Sequence, residues 1–187
     1  MMNVLITGGE GFIGGHLVRK LKALEHRVTV VDDMSGTQSK DTKHTPIFAM
    51  RIQDYLTRCE EKFDIIFHLA ATPRMGFSFD KPRIVLDNNI TSTIAVADYA
   101  SKANSWVFWS NSSMTTAIND AKINPYVHSK SISKDILELY SEHFGLNYSI
   151  LSFHNVYGPE EKIEGEYTTC VAKMLDDYQK HNKITVT

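Results

Sequence analysis

The chain has 187 residues, 42% hydrophobic and 22% charged, with a formal net charge of −2. That is the composition of an ordinary globular domain, without the polybasic tract of a nucleic-acid or membrane-surface binder and without an apolar run of membrane-spanning length. Residues 1–6 are too short and too soon followed by glycines to be a signal peptide, and Cys59 and Cys170 lack metal-ligand spacing, so the expectation is a cytoplasmic chain with free thiols and no metal.

The first element is a short apolar strand over 3–7, carrying Val4, Leu5 and Ile6. Thr7-Gly8-Gly9-Glu10-Gly11-Phe12-Ile13-Gly14 follows, then a helical pattern over 12–24 set by Ile13, Leu17, Leu21 and Leu24. A strand, a glycine turn and a helix opening make a dinucleotide pyrophosphate site: the glycines allow a tight turn and close backbone approach, and the helix N-terminus faces the phosphates. Gly8, Gly11 and Gly14 have G-x-x-G-x-x-G spacing. A second strand over 27–32 ends in Asp32, about twenty residues after the glycines, where a carboxylate accepts both adenosine ribose hydroxyls and repels a 2′-phosphate. NAD is therefore expected rather than NADP, with Lys40 and Lys43 downstream in a polar loop.

Further strands are expected over 47–50, 64–69, 106–110 and 148–153, and helices over 53–61, 83–103 and 126–144. Segments 34–46 and 111–125 read as polar and irregular. Right-handed crossovers between such elements give one α/β domain with a doubly wound parallel sheet. The last helix opens with Tyr126-Val127-His128-Ser129-Lys130. Its tyrosine and lysine, four apart, share one face, where the ammonium can lower the phenol's pKa, so they are a candidate proton-transfer pair. Alone, that spacing also suits an amphipathic surface helix. The glycine motif at the other end of the chain tips the reading toward chemistry.

Six motifs occur in a familiar order: T-G-G-x-G-F-I-G from Thr7, His68-Leu69-Ala70-Ala71, Asp87-Asn88-Asn89 at a helix start, Ser110-Asn111-Ser112-Ser113, Y-x-x-x-K from Tyr126, and Asn155-Val156-Tyr157-Gly158-Pro159. From residue 2 to about 175 the chain resembles the extended short-chain dehydrogenases/reductases, in the nucleotide-sugar epimerase and dehydratase branch (UDP-glucose 4-epimerase-like). The resemblance implies a Rossmann-type NAD-binding domain over 1–160. Residues 161–187 would then be a remnant or the start of a C-terminal substrate domain that is otherwise largely missing. An expression fragment and a natural minimal enzyme both remain open, while the retained Tyr/Lys pair argues against a degenerate chain.

By the same resemblance Tyr126 is the acid/base, Lys130 lowers its pKa and holds the nicotinamide ribose, and Ser112 hydrogen-bonds the reacting oxygen, with Ser110 and Ser113 as its rivals. Cofactor contacts are implied for Gly8, Gly11, Phe12, Ile13, Gly14, Asp32, Asp33, Ile52, Leu69, Ala70, Ala71 and Asn88, and substrate contacts for Arg74, Ser112 and Asn155. Asn88 fits a helix N-cap equally well, Asn155 fits a turn before Gly158-Pro159, and His68 is better read as a packed strand residue than as a ligand.

Departures from the family pattern accompany the match. Arg51 stands where an acidic residue commonly meets the adenine amine, which leaves the base to other contacts or to Ile52. Thr115-Thr116 replace a tyrosine-glycine, and Ser152 and Glu160 replace arginines. Sugar-nucleotide 4,6-dehydratases carry a Thr-Asp-Glu set at the serine strand, whereas Ser112-Ser113-Met114 offers no carboxyl group. The resemblance thus points to a 4-epimerase that oxidises the sugar C4 hydroxyl, lets the 4-keto sugar rotate and reduces it from the other face. Pro73-Arg74 with Ser78 is similar to that subgroup. A nucleotide-sugar reductase or dehydrogenase is the alternative enzyme, and a non-catalytic NAD-binding module the alternative from another class. Helices near 83–103 and 126–144, with Ile90, Ile94, Ala97, Ala100, Ile132, Ile136, Leu139 and Tyr140, carry stripes that are either core or, as in relatives, a homodimer interface.

Overall fold

The computed structural model describes residues 1–36, 46–73, 75–117, 124–161 and 170–184. Val4, Leu5, Ile6 and Thr7 are each at most 1% exposed. A strand covered on both faces has no room for alternate polar residues, and this one, β1 (Asn3–Thr7), lies in the interior of a six-stranded parallel sheet. The others are β2 (Arg27–Asp32), β3 (Ile47–Ala49), β4 (Ile65–His68), β5 (Trp106–Ser112) and β6 (Asn147–Phe153), in the spatial order β3-β2-β1-β4-β5-β6. The order reverses between β1 and β4. At such a reversal the connections leave in opposite directions and open a crevice beyond the carboxyl ends of the strands.

Helices α1 (Phe12–Ala23), α2 (Ile52–Leu56), α3 (Met75–Asp80), α4 (Pro82–Ala103), α5 (Met114–Ala117), α6 (Pro125–Phe144) and α7 (Cys170–His181) complete the described elements. One face of the sheet, with Leu5, Ile66, Val107 and Trp109, packs against Val96, Ala97 and Ala100 of α4 and Leu137 of α6. The other face, with Val4, Ile6, Val28 and Val30, packs against Val18 of α1. Proline at the first position starts both long helices, where its missing N–H costs nothing. Asn104 (φ 58°) and Gly145 (φ 69°) end them in the left-handed conformation, each returning its N–H to the last turn.

Several expectations need adjustment. The second helix spans only 52–56 instead of 53–61, because Arg58 and Cys59 donate to carbonyls three residues back and tighten the turn. β5 runs on through Ser112, and α5 follows, so 111–117 is ordered where an irregular segment was expected. Helices α3 and α7 were not foreseen. Asp87-Asn88-Asn89 lies inside α4 rather than at its start, and the N-cap is Lys81. The stripes on α4 and α6 divide: Ala97 and Ala100 are core, while Ile94 (40%) and Leu139 (50%) are exposed. Cys59 and Cys170 are free thiols. Among the described residues no helix is long and apolar enough to cross a membrane, and no cluster of three or more His, Cys, Asp or Glu has metal-binding geometry. Lys40 and Lys43 lie outside the described residues.

Candidate functional site

The glycine turn closes against the end of β4. Gly8 has φ +72°, and a Cβ there would lie 2.8 Å from the Ala70 nitrogen; a Cβ on Gly14 would lie 2.1 Å from the Gly8 carbonyl oxygen. No side chain fits at either position, so the backbone of the turn meets the first turn of α1 directly. The N-cap, Gly11, has no side chain to occupy the helix N–H groups, which leaves them for an anion. Ala70 thus packs on Gly8, and its N–H donates to Thr7 Oγ1 at 3.1 Å.

Asp32 closes the next corner. It is 9% exposed, and its two oxygens accept the N–H groups of Glu10 (3.0 Å) and Met34 (2.8 Å). Burial raises its pKa and those two hydrogen bonds work against the rise. A carboxylate short of water but lining a cleft is well suited to accept two ribose hydroxyls. Asp33, exposed beside it, accepts from Ser35 instead.

The reactive end of the cleft is built by β5 and α6. The neighbouring Ser112 hydroxyl lowers the pKa of the Tyr126 phenol, against a larger rise caused by burial. This corrects the expectation that the Lys130 ammonium does the lowering. Lys130 is 4% exposed, its Nζ donates to the Ser110 carbonyl at 2.8 Å, and it sits 4.9 Å from the centroid of the Trp109 ring. Burial pushes its pKa down to about 7. Asn124 holds the start of α6 by accepting from the Val127 N–H at 2.8 Å.

His68 is 1% exposed and packed, as expected of a strand residue. Burial, then the nearby Lys130 charge, push its pKa down to about 3, so the imidazole is neutral. Its tautomer follows from its partners. Thr93 spends its one hydroxyl proton on the Asn89 carbonyl (2.8 Å), so it accepts from His68 Nε2 (3.4 Å), and Thr7 donates to Nδ1 (2.7 Å).

One residue that sequence reasoning missed ties these parts together. Asn89, 2% exposed, accepts from the Thr72 N–H (2.7 Å) and donates to the Thr72 carbonyl (3.3 Å) and Ser129 Oγ (2.9 Å); Ser129 Oγ donates in turn to the Tyr126 carbonyl (2.7 Å). Its neighbour Asn88 donates to Thr72 Oγ1 (3.0 Å) and accepts from Arg51, whose guanidinium also pairs with Asp87 at 3.0 Å. A polar chain therefore runs from the turn after β3 to the first turn of α6. The three adjacent polar residues 87–89 were the available signal; which one is buried depends on the helix phase.

A single cleft is lined by Gly8, Gly11, Phe12, Ile13, Gly14, Asp32, Asp33, Ile52, Leu69, Ala70, Ala71, Asn88, Ser112, Tyr126, Lys130 and Asn155. Every described candidate thus meets the others, and Arg74 lies outside the described residues. Arg51 and Ser110, the latter named above as a rival of Ser112, line the same cleft, as do Met50 and Thr72, which were not foreseen as cofactor or substrate contacts. Phosphate-facing N–H groups, a buried carboxylate one strand away and a cationic amine at the far end fit an extended dinucleotide.

Comparison with known proteins gives the arrangement its context. A family model described as the NAD dependent epimerase/dehydratase family matches residues 4–187. The chain is 26% identical over 179 residues to a putative UDP-glucose 4-epimerase of Methanocaldococcus jannaschii, covering 87% of this chain and 59% of that protein. It is 28% identical over 192 residues to a UDP-N-acetyl-alpha-D-glucosaminuronate decarboxylase of Bacillus cytotoxicus (91% and 59%). The crystal structure of the UDP-glucose 4-epimerase of Thermotoga maritima with UDP-glucose superimposes with a TM-score of 0.88 at 26% identity, over 96% of this chain and 63% of that one. The chain thus spans about three fifths of these relatives' own lengths. With the model match running nearly end to end over a Rossmann-type sheet, the chain belongs to the NAD dependent epimerase/dehydratase family, and its cofactor is NAD.

Proposed function

We propose that the chain carries the cofactor-binding and proton-transfer half of a nucleotide-sugar 4-epimerase. The observation that carries this reading is that Tyr126, Lys130 and Ser112 line one cleft with the glycine turn and Asp32, the tyrosine and the lysine on the same helix. Bound NAD supplies hydride acceptance and return. Tyr126, in its phenolate form, would take the proton of the sugar's C4 hydroxyl as that carbon gives up its hydride and becomes a ketone, and would give it back when the ketone is reduced from its other face. Ser112 donates to the same oxygen and fixes it beside the phenol. Asp32 holds the adenosine ribose and Lys130 the nicotinamide ribose. The sequence 112–114 brings no carboxyl group to the substrate, so the water-eliminating chemistry of 4,6-dehydratases has no acid or base here.

In this reading residues 1–160 form the NAD-binding unit and 161–187 begin the substrate region. Asn155, exposed at the end of β6, and Arg74 contact the nucleotide sugar. The exposed Ile94 and Leu139 belong to a homodimer interface formed by α4 and α6; light scattering that finds only monomer at micromolar concentration rejects it. The reaction is tested by incubating the purified chain with NAD and UDP-, GDP-, CDP- and dTDP-sugars and resolving the epimers by NMR. One pair should interconvert, and Tyr126→Phe should slow it about 100-fold or more while NAD affinity stays near that of the parent. Absence of conversion with every sugar nucleotide rejects the epimerase reading, and stoichiometric cofactor release in each turnover points to the reductase instead.

A further inference from the structure

The Lys130 ammonium is held in the cleft by groups that carry no negative charge. It is 4% exposed, yet among the described residues no carboxylate pairs with it. An ammonium has three N–H donors. One of them goes to the Ser110 carbonyl (2.8 Å), and the ring of Trp109 lies against the amine with its centroid 4.9 Å from Nζ. The titratable groups on the elements around α6 supply no counter-charge. His68 on β4 is neutral, and burial favours the neutral phenol of Tyr126, one turn earlier on α6. Asp87 of α4 is paired with Arg51, Asp80 of α3 is exposed, and α5 has no titratable residue. Tyr148 of β6 lies near Glu138 and Lys134, further along α6.

Trp109 is fixed where it stands. It is 1% exposed on β5 and packs in the core with Val107, Val96, Ala97 and Leu137. The face of an aromatic ring is negative and attracts a cation through its quadrupole, although the ring has no net charge. A carboxylate in the same place would hold the amine and also cancel its charge. We propose that Trp109 is the positioning residue for Lys130: its buried ring keeps the amine protonated and in place while leaving its full positive charge to the cleft. The use of that charge on the nicotinamide ribose rests on the function proposed above; the contact between ring and amine does not.

Truncating Trp109 would open the core and confuse contact with packing, so the test changes the ring's electrons and keeps its shape. Placed at position 109 by nonsense suppression, 5-fluorotryptophan and 5,6,7-trifluorotryptophan drain negative charge from the face in steps. The amine is followed by NMR in protein whose lysines carry 13C at the ε-carbon, with Lys130→Met assigning its signal. Its titration midpoint should fall with each step, by about one pH unit for the trifluoro ring, a tenfold change in proton affinity. NAD affinity, measured by calorimetry, should match the parent's near about pH 5.5, where the amine is still largely protonated, and decline at a correspondingly lower pH than in the parent. A midpoint that stays in place or rises with fluorination overturns the proposal, and so does an NAD affinity lowered equally at every pH. A midpoint that falls while NAD affinity ignores it upholds the ring contact and rejects the ribose assignment of Lys130.

Discussion

Replacing Lys130 with methionine separates what this residue does for the site from what it costs the fold. Burial holds its amine at a pKa of about 7 against the ordinary 10.5. The unfolded chain therefore keeps this proton up to pH 10.5, and the folded chain only up to about 7. Below pH 7 both states are charged and the fold carries the full cost of a buried ammonium, at most roughly 5 kcal/mol at 1.36 kcal/mol per pKa unit. Between those two values the unfolded state binds more protons, so the stability of the parent rises with pH until the cost vanishes. Methionine fills a similar volume without charge, but it strips the Ser110 carbonyl of its donor, which costs about 1–3 kcal/mol. Lys130→Met should therefore be the more stable protein by roughly 2–4 kcal/mol near pH 6.5, reach parity between about pH 8 and 10, and fall below the parent above that. Urea unfolding at a series of pH values measures the difference, with NAD titration showing the cofactor affinity lost. A stability difference that stays constant across this range refutes the reasoning, because only an amine that titrates differently in the two states produces the slope.

Asp32→Asn keeps the shape of the side chain and one acceptor but removes the charge that excludes a 2′-phosphate; the preference for NAD over NADP, read by titration, should shrink about tenfold. Asn89→Ala leaves both backbone groups of Thr72 without a buried partner and takes from Ser129 Oγ the donor it accepts from, and should destabilise the fold by roughly 2–4 kcal/mol, seen as a drop of about 5–15 °C in a thermal melt. A melt unchanged within a degree or two counts against the polar chain as a structural tie.

The parts of the molecule that the sequence revealed are those fixed by local pattern. An apolar run such as Val4-Leu5-Ile6 has few uses other than a doubly covered strand, and Gly8 and Gly14 stand where any side chain would strike backbone, so both survive as signals without knowledge of the fold. What the sequence hid depends on contacts between distant residues. The Lys130 ammonium and the Tyr126 phenol share a helix face as the spacing requires, yet their pKa values are governed by burial and by Ser112 and not by each other. Arg51 reads as a misplaced charge until Asp87 and Asn88, 36 and 37 positions further on, are brought beside it. The buried member of Asp87-Asn88-Asn89 could be chosen only with the start of α4 known, since one residue of phase turns a helix by about 100°.

These contacts link the carboxyl ends of the strands to one another around the cleft. Every strand of the sheet contributes to the cleft from its carboxyl end: Gly8 after β1, Asp32 on β2, Arg51 after β3, Ala70 and Thr72 after β4, Ser110 and Ser112 on β5, Asn155 after β6. These ends are also bound to one another. Glu10 reaches Asp32, Ala70 reaches Thr7, Arg51 reaches Asn88 and through it Thr72, Ser110 Oγ donates to the His68 carbonyl (3.1 Å), and the Ser113 N–H donates to the Phe153 carbonyl (2.9 Å). After β6, His154, Asn155 and Val156 line the cleft, and Pro159 and Glu160 are then clasped by His16 (3.0 Å) and Arg19 (2.7 Å) of α1. A dinucleotide therefore meets walls that are preorganised by hydrogen bonds made without it, and little ordering is charged against its binding.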